Sequence, residues 1–238
     1  MRRLRLTLTI ILLVPFLGPR LSRPTEVVPL APPPGFDVPI ESRPNDRAIG
    51  VFLVPLDAGE QLDLTRFDAG VRFDLDGDGI VEQVSWPAPG ANVAFLAIDR
   101  NGDGRITSGR ELVGNAMQPD ARNAAAALLT TFSESQPVPS GSVHEGHALY
   151  DRLLLWTDRN ADGRGEPDEL IKVRDRFTAI GLGFSPVHWL DRNGNDIRFQ
   201  GWLHTRTDGP GQGEPTSARE ELARRWRMFE VVLQTARR

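Results

Sequence analysis

Apolar and polar positions alternate with a period of two through much of the first and last parts of the chain. "AIGVFLVPL" (48–56) and "NVAFLAI" (92–98) are short, nearly unbroken apolar runs bounded by turn residues. Runs of that length fit strands buried on both faces. "VRFDL" places Val71, Phe73 and Leu75 on one face, and "IVEQVSW" alternates again through Ile80, Glu82, Val84 and Trp86. Further on, "TAIGLGF" and "IRFQGWLHTR" read as strands on either side of "DRNGN", whose Asn193-Gly194 pair signals a hairpin turn. The middle changes period. "ARNAAAALLTTF" (121–132) is rich in helix formers with an amphipathic face. After a break at Pro137, Pro139 and Gly141, "HEGHALYDRLLLW" spaces Leu149, Leu153 and Trp156 as a helix would. "EPDELIKVRD" carries Pro167 in a first turn, with acids early and bases late. The last apolar stretch fits either period: Leu222, Trp226, Phe229 and Leu233 on a helix, or Arg227, Phe229, Val231 and Leu233 on a strand.

Three polar segments interrupt this pattern with one grammar. They are "DLDGDGIVE" (74–82), "DRNGDGRITSGRE" (99–111) and "DRNADGRGEPDE" (158–169). Each has side-chain oxygens at its first, third and fifth positions and glycine at the sixth. Like charges that close together disfavour a compact loop unless a cation joins them. Calcium takes six to eight oxygen ligands, and alternate side chains in a tight turn converge on one centre. The carbonyl at the seventh position and a downstream acid complete such a shell. The first loop offers Asp74, Asp76, Asp78, the Ile80 carbonyl and Glu82. The second offers Asp99, Asn101, Asp103, the Arg105 carbonyl and Glu111, which falls one residue later than the usual twelfth position. The third offers Asp158, Asn160, Asp162, the Arg164 carbonyl and Glu169 at the twelfth position. It is the most complete and is expected to bind most tightly. Gly165 is its flaw, because a branched apolar residue usually anchors the eighth position. Magnesium fits less well, since it wants stricter octahedral geometry and fewer protein ligands. The related "DRNGNDIR" lacks glycine at the sixth position and is read as the hairpin turn. With helices expected on both sides of the third loop, the fold class is expected to be α+β, β-rich N-terminal and C-terminal parts enclosing a helical EF-hand-like middle.

"GVRFDLDGDGIVEQVSWPAPGANVAFLAIDRNGDGRITSGRELVGN", "LLLWTDRNADGRGEPDEL" and "DRNGNDIRFQGW" together resemble a segment of bacterial exported EF-hand-type calcium-binding proteins, some of them close to haemolysin-type repeat toxins. The resemblance spans about residues 50–205 and implies calcium at the three acidic loops. Two features depart from it. "SESQPVPSGSVHEG" lacks the extra acidic loop frequent in such relatives, and the glycine-rich nonapeptide repeats of the toxins are absent.

The N-terminus begins with Arg2, Arg3 and Arg5, followed by an apolar stretch from Leu6 to Leu17. That length suits a signal peptide better than a spanning helix. Residues 1–23 are therefore expected to be a signal peptide or N-terminal anchor, 24–47 a proline-rich linker, and 48–238 the calcium-binding domain. Secretion or periplasmic location is expected, with N-terminal membrane anchoring as the rival. The 238 residues contain no cysteine, which excludes disulfides, zinc-thiolate sites and a cysteine nucleophile. A formal net charge of −4 gives no support for a nucleic-acid partner. His144 and His147 in "HEGH" miss the metalloprotease spacing, and Ser85, Ser108 and Ser185 lack a nucleophile-elbow context. No catalytic residue is assigned. The five tryptophans could form a glycan-binding face, although core packing explains most of them. The expected function is an exported calcium-binding protein whose two or three ions order the fold. An exported hydrolase on a calcium-stabilised scaffold is the alternative. A protein or glycan partner is left open.

Overall fold

The computed structural model describes residues 48–57, 61–138, 141–206 and 225–236, together with the backbone of Phe36–Pro39. The export signal expected over 1–23, most of the linker expected over 24–47, and the C-terminal stretch before Arg225 lie outside these residues. The elements are β1 (Phe36–Pro39), β2 (Gly50–Pro55), β3 (Val71–Phe73), β4 (Glu82–Val84), β5 (Val93–Ile98), α1 (Ala124–Ser135), β6 (Ser142–His144), β7 (Leu153–Trp156), β8 (Leu170–Lys172), β9 (Phe177–Gly181), β10 (Ser185–Asp191), β11 (Asp196–Thr205) and β12 (Arg225–Val232). Ten strands join one antiparallel sheet in the order β1-β10-β11-β12-β2-β5-β7-β8, with β9 pairing the far end of β11 and β6 pairing β9. β3 and β4 form a separate hairpin.

The apolar runs become central strands because both faces of the sheet are covered. From β2, Val51 and Leu53 face one core, while Phe52 and Val54 face the other. β5 divides in the same way, Phe95 and Ala97 against Leu96 and Ile98. The first core is roofed by the β3–β4 hairpin, where Trp86 and Trp156 contact each other and both Phe73 and Phe95 at ring-centroid distances of 4.5–5.8 Å. The second is covered by α1 through Ala124, Leu128 and Phe132. Asn123 caps α1 by accepting the Ala126 N–H at 2.8 Å. The hairpin turn expected at 191–195 is present: Asp191 accepts the N–H groups of Asn193 and Asn195, each at 2.8 Å. The ambiguous C-terminal stretch is strand from Arg225 to Val232.

The α+β expectation with a helical EF-hand-like middle is overturned. The described residues are mostly β-sheet, and α1 is their single α-helix. "HEGHALYDRLLLW" passes through turns, including a 3-10 turn at Tyr150–Arg152, into strand β7. "EPDELIKVRD" divides into 3-10 turns at Pro167–Glu169 and Val173–Asp175 on either side of β8. The reason is tertiary. β7 is flanked by β5 and β8, so its backbone groups are satisfied in a sheet, and a four-residue apolar run suits either period. His147, in the segment read as a helix, is buried in a turn and accepts the Leu149 N–H on Nδ1. Four residues of the expected linker, Phe36–Pro39, pair with β10. No helix among the described residues is long and apolar enough to cross a membrane.

Glu230 on β12 is fully buried beneath the start of α1 and accepts the Ala125 N–H at 3.0 Å. Burial pushes its carboxyl above the usual carboxylate range, only partly offset by hydrogen bonds from Ala125 and Ala124 and by Arg198. The folded state therefore holds this proton more tightly than the unfolded chain does. Stability from Glu230 is full below the ordinary carboxylate pKa and falls as pH rises through the raised value. Glu230→Gln is expected to remove that loss. Urea denaturation at fixed calcium should show the variant gaining on the native protein with rising pH, by about 1.4 kcal/mol per unit of pKa elevation. A difference independent of pH contradicts this.

Candidate metal centre

Each acidic loop continues from a buried strand. The first joins β3 to β4, the second follows β5, and the third follows β7. In all three, the aspartate at position one accepts the N–H of position six: Asp74 from Gly79 at 3.0 Å, Asp99 from Gly104 at 2.9 Å, and Asp158 from Gly163 at 2.8 Å. Position three accepts the N–H of position five: Asp76 from Asp78, Asn101 from Asp103, and Asn160 from Asp162. Position five accepts the N–H of position seven, each at 2.8 Å: Asp78 from Ile80, Asp103 from Arg105, and Asp162 from Arg164. The backbone is left-handed at positions four and six, with φ of 73° and 90° in the first loop, 75° and 77° in the second, and 56° and 72° in the third. Position four of the third loop is Ala161, where a side chain carries a steric cost that glycine escapes.

Two loops gather their acids. Asp74, Asp76 and Asp78 each offer an oxygen within 4.8 Å of the others, and so do Asp99, Asp103 and Glu111. These two clusters can hold a metal ion. Each also contains a buried oxygen with no hydrogen-bond partner among the described residues: Oδ1 of Asp74 and Oε1 of Glu111. A buried carboxylate oxygen without a donor is costly, and a cation supplies what the protein does not. Glu111 is 5% exposed, and its other oxygen accepts the Thr107 N–H at 2.9 Å, which fixes the carboxylate in place. Glu82 accepts the Leu75 N–H at 3.2 Å, while Ile80 lies 55% exposed at the tip of the first loop.

The third loop is built differently. Asp158, Asp162 and Glu169 do not form such a cluster among the described residues. Asp158 accepts the Trp86 indole N–H at 2.8 Å, and Glu169 accepts the Trp156 indole N–H at 3.3 Å and the Arg159 N–H at 2.8 Å. Burial raises the Asp158 carboxyl above its ordinary range, against the hydrogen bonds from Gly163, Trp86 and Asp162. Glu166, at position nine, was not identified from the sequence. Its Oε2 is buried with no partner among the described residues, and its Oε1 lies 3.8 Å from Arg105 of the second loop. Loss of hydration, then Asp162 and Glu169, hold its carboxyl above the usual range. The sequence signal was present, because position nine is a ligand position in loops of this spacing.

The loops also touch one another. Ile106 and Gly165, both at position eight, exchange backbone hydrogen bonds at 3.1 and 2.8 Å. A Cβ on Gly165 would lie 2.9 Å from the Ile106 Cβ. The glycine that looked like a defect is thus required by the buried isoleucine packed over it. Asp74 of the first loop bridges Ser108 of the second, and the Gly109 N–H donates to the Asp74 carbonyl at 2.8 Å. The ligand carbonyls expected at Ile80, Arg105 and Arg164 sit on exposed residues.

The left-handed positions generate opposite expectations. Ala161→Gly should raise stability by about 1 kcal/mol, because relief of the left-handed strain exceeds the added chain entropy. Gly104→Ala should lower it by a similar amount. Denaturant midpoints measured at one calcium concentration check both signs. Equal and like-signed shifts contradict the shared geometry.

Over 146 residues, 59% of this chain, the sequence is 31% identical to iron-regulated protein FrpA of Neisseria meningitidis serogroup C. The match covers 12% of that protein, so the chain spans only a small part of its relative's length. The model of the SPM domain matches residues 54–213, which takes in all three acidic loops and every described strand from β3 to β11. With so much of the sequence matched, the chain belongs to the SPM domain family.

Proposed function

We propose that this chain is an exported calcium-binding protein in which bound ions order the acidic loops and the β-sheet beneath them. The observation that carries the proposal is the pair of buried, donorless oxygens, Asp74 Oδ1 and Glu111 Oε1, each inside a convergent acid cluster. The donors are all oxygens, and calcium is the hard cation that accepts many of them in irregular geometry. The first site would use Asp74, Asp76, Asp78, Glu82 and the Ile80 carbonyl. The second would use Asp99, Asn101, Asp103, Glu111 and the Arg105 carbonyl. The third, with Asp158, Asn160, Asp162, Glu169 and the Arg164 carbonyl, must first loosen carboxylates held by two indoles and a backbone amide. It therefore fills last, the reverse of the order that Glu169 alone suggested. The basic start and apolar stretch of residues 2–17 support export to the periplasm or beyond, or anchoring at the N-terminus.

A site with a dissociation constant near 0.1 mM contributes about 1.4 kcal/mol at roughly 1 mM calcium, so two or three contribute about 3–4 kcal/mol. A chelator should then lower the melting temperature by about 6–15 °C. Glu111→Gln should remove part of the calcium response. Superimposable melting curves with calcium and with chelator reject a structural role for the ion. Calorimetry should show two ions bound more tightly than the third, with the tighter uptake surviving in Asp158→Ala/Glu169→Ala. Loss of all calcium uptake in that double variant contradicts the order of filling.

A further inference from the structure

We infer that the segment Ser108–Glu111 couples the first two cation sites, so that an ion in either raises the affinity of the other. The inference rests on the reading of both loops as calcium sites and adds to it a direct mechanical connection. One short turn serves both loops. Its last residue, Glu111, delivers a carboxylate to Asp99 and Asp103 of the second loop. Its other residues grip the first loop. The Gly109 N–H donates to the Asp74 carbonyl at 2.8 Å, and the Arg110 Nε–H donates to the Gly77 carbonyl at 2.6 Å. Asp74 and Gly77 are positions one and four of the first loop, at either side of Asp76. The approach is close. A Cβ on Gly109 would fall 1.7 Å from the Leu75 carbonyl oxygen, and one on Gly77 would fall 2.4 Å from Cγ of Arg110.

The physical consequence follows from where the repulsion acts. In the absence of an ion, Glu111 lies beside two other carboxylates that repel it, which biases the turn away from the second loop. An ion there reverses the bias and adds its attraction to the hydrogen bond that Glu111 already accepts from Thr107. The same 3-10 turn, Gly109–Glu111, then presents its N–H and guanidinium donors to the first loop in a set position. That holds closed the backbone from which Asp74, Asp76 and Asp78 converge. Ordering already achieved by the first ion need not be achieved again by the second, which is positive cooperativity. By linkage, the effect must be equal in both directions. Arg110 is a positioning residue here: it touches the loop carbonyl, and its side chain is exposed, so its replacement leaves the core intact.

Calcium titrations followed by amide NMR test this on the full chain. The Gly79 N–H donates to Asp74 and the Gly104 N–H to Asp99, so each glycine resonance reports its own loop. Asp103→Ala should weaken calcium binding at the Gly79 loop by about 5- to 20-fold, and Asp78→Ala should weaken it at the Gly104 loop by the same factor. Arg110→Met keeps the aliphatic stem and removes the donor. In that background both cross-effects should fall below about 2-fold. The two acid variants alone decide whether coupling exists, even without Arg110→Met. If both glycines respond to calcium and neither cross-effect exceeds about 2-fold, the coupling is overturned and the calcium reading stands. Cross-effects that persist undiminished in Arg110→Met overturn the assignment to this segment. If neither glycine responds to calcium in the native chain, both the calcium reading and the coupling fall.

Discussion

Carboxylates that must converge without repelling one another constrain most of this molecule. Asp99, Asp103 and Glu111 bring three acids within 4.8 Å, and Asp74, Asp76 and Asp78 do the same a short distance along the chain. Backbone N–H groups relieve part of the charge. Every loop uses the same three turns, in which each acid or amide oxygen accepts a backbone N–H two or five residues later. At Asp74 and Glu111 one buried oxygen meets no donor among the described residues. The described residues therefore carry a local electrostatic cost that a cation would remove.

The sheet explains how the loops are held at all. β5 and β7 are neighbours whose residues are largely buried, and the second and third loops leave directly from their ends. The aromatic cluster of Phe73, Trp86, Phe95 and Trp156 lies under the β3–β4 hairpin and touches the third loop through two indole N–H groups. Ile106 against Gly165, and Gly109 against Asp74, then tie the three loops to one another. An event in a loop is in this way connected to the hydrophobic core by a few short hydrogen bonds rather than by flexible chain.

The strands that are buried on both faces were legible, because β2 and β5 leave uninterrupted apolar runs that nothing else in a short segment explains. The hairpin at Asn193-Gly194 and helix α1 were legible for equally local reasons: one turn dipeptide, and one alanine-rich run with an asparagine cap. The helical middle was misread. "LLLW" satisfies three-and-four spacing, yet β5 and β8 take its backbone on both sides, and only the tertiary partner distinguishes the two. "EPDEL" has helix composition, but Glu169 is turned back onto the Arg159 N–H and the Trp156 indole. The loop residues were legible as a set, since the oxygen spacing is a property of the sequence. Which loops gather their acids was not, because that depends on Trp86, seventy-two residues from Asp158. Gly165 could not be understood without Ile106 above it.

Anomalous diffraction from crystals grown with calcium, and then with terbium in its place, locates the ions without reference to stability or affinity. Peaks about 2.3–2.6 Å from Oδ1 of Asp74 and from Oε1 of Glu111 are expected, with any third peak beside Asp158 weaker than these two. Maps with no peak at either oxygen, and with both side chains in the geometry described above, would contradict the cation as the partner those buried carboxylates lack.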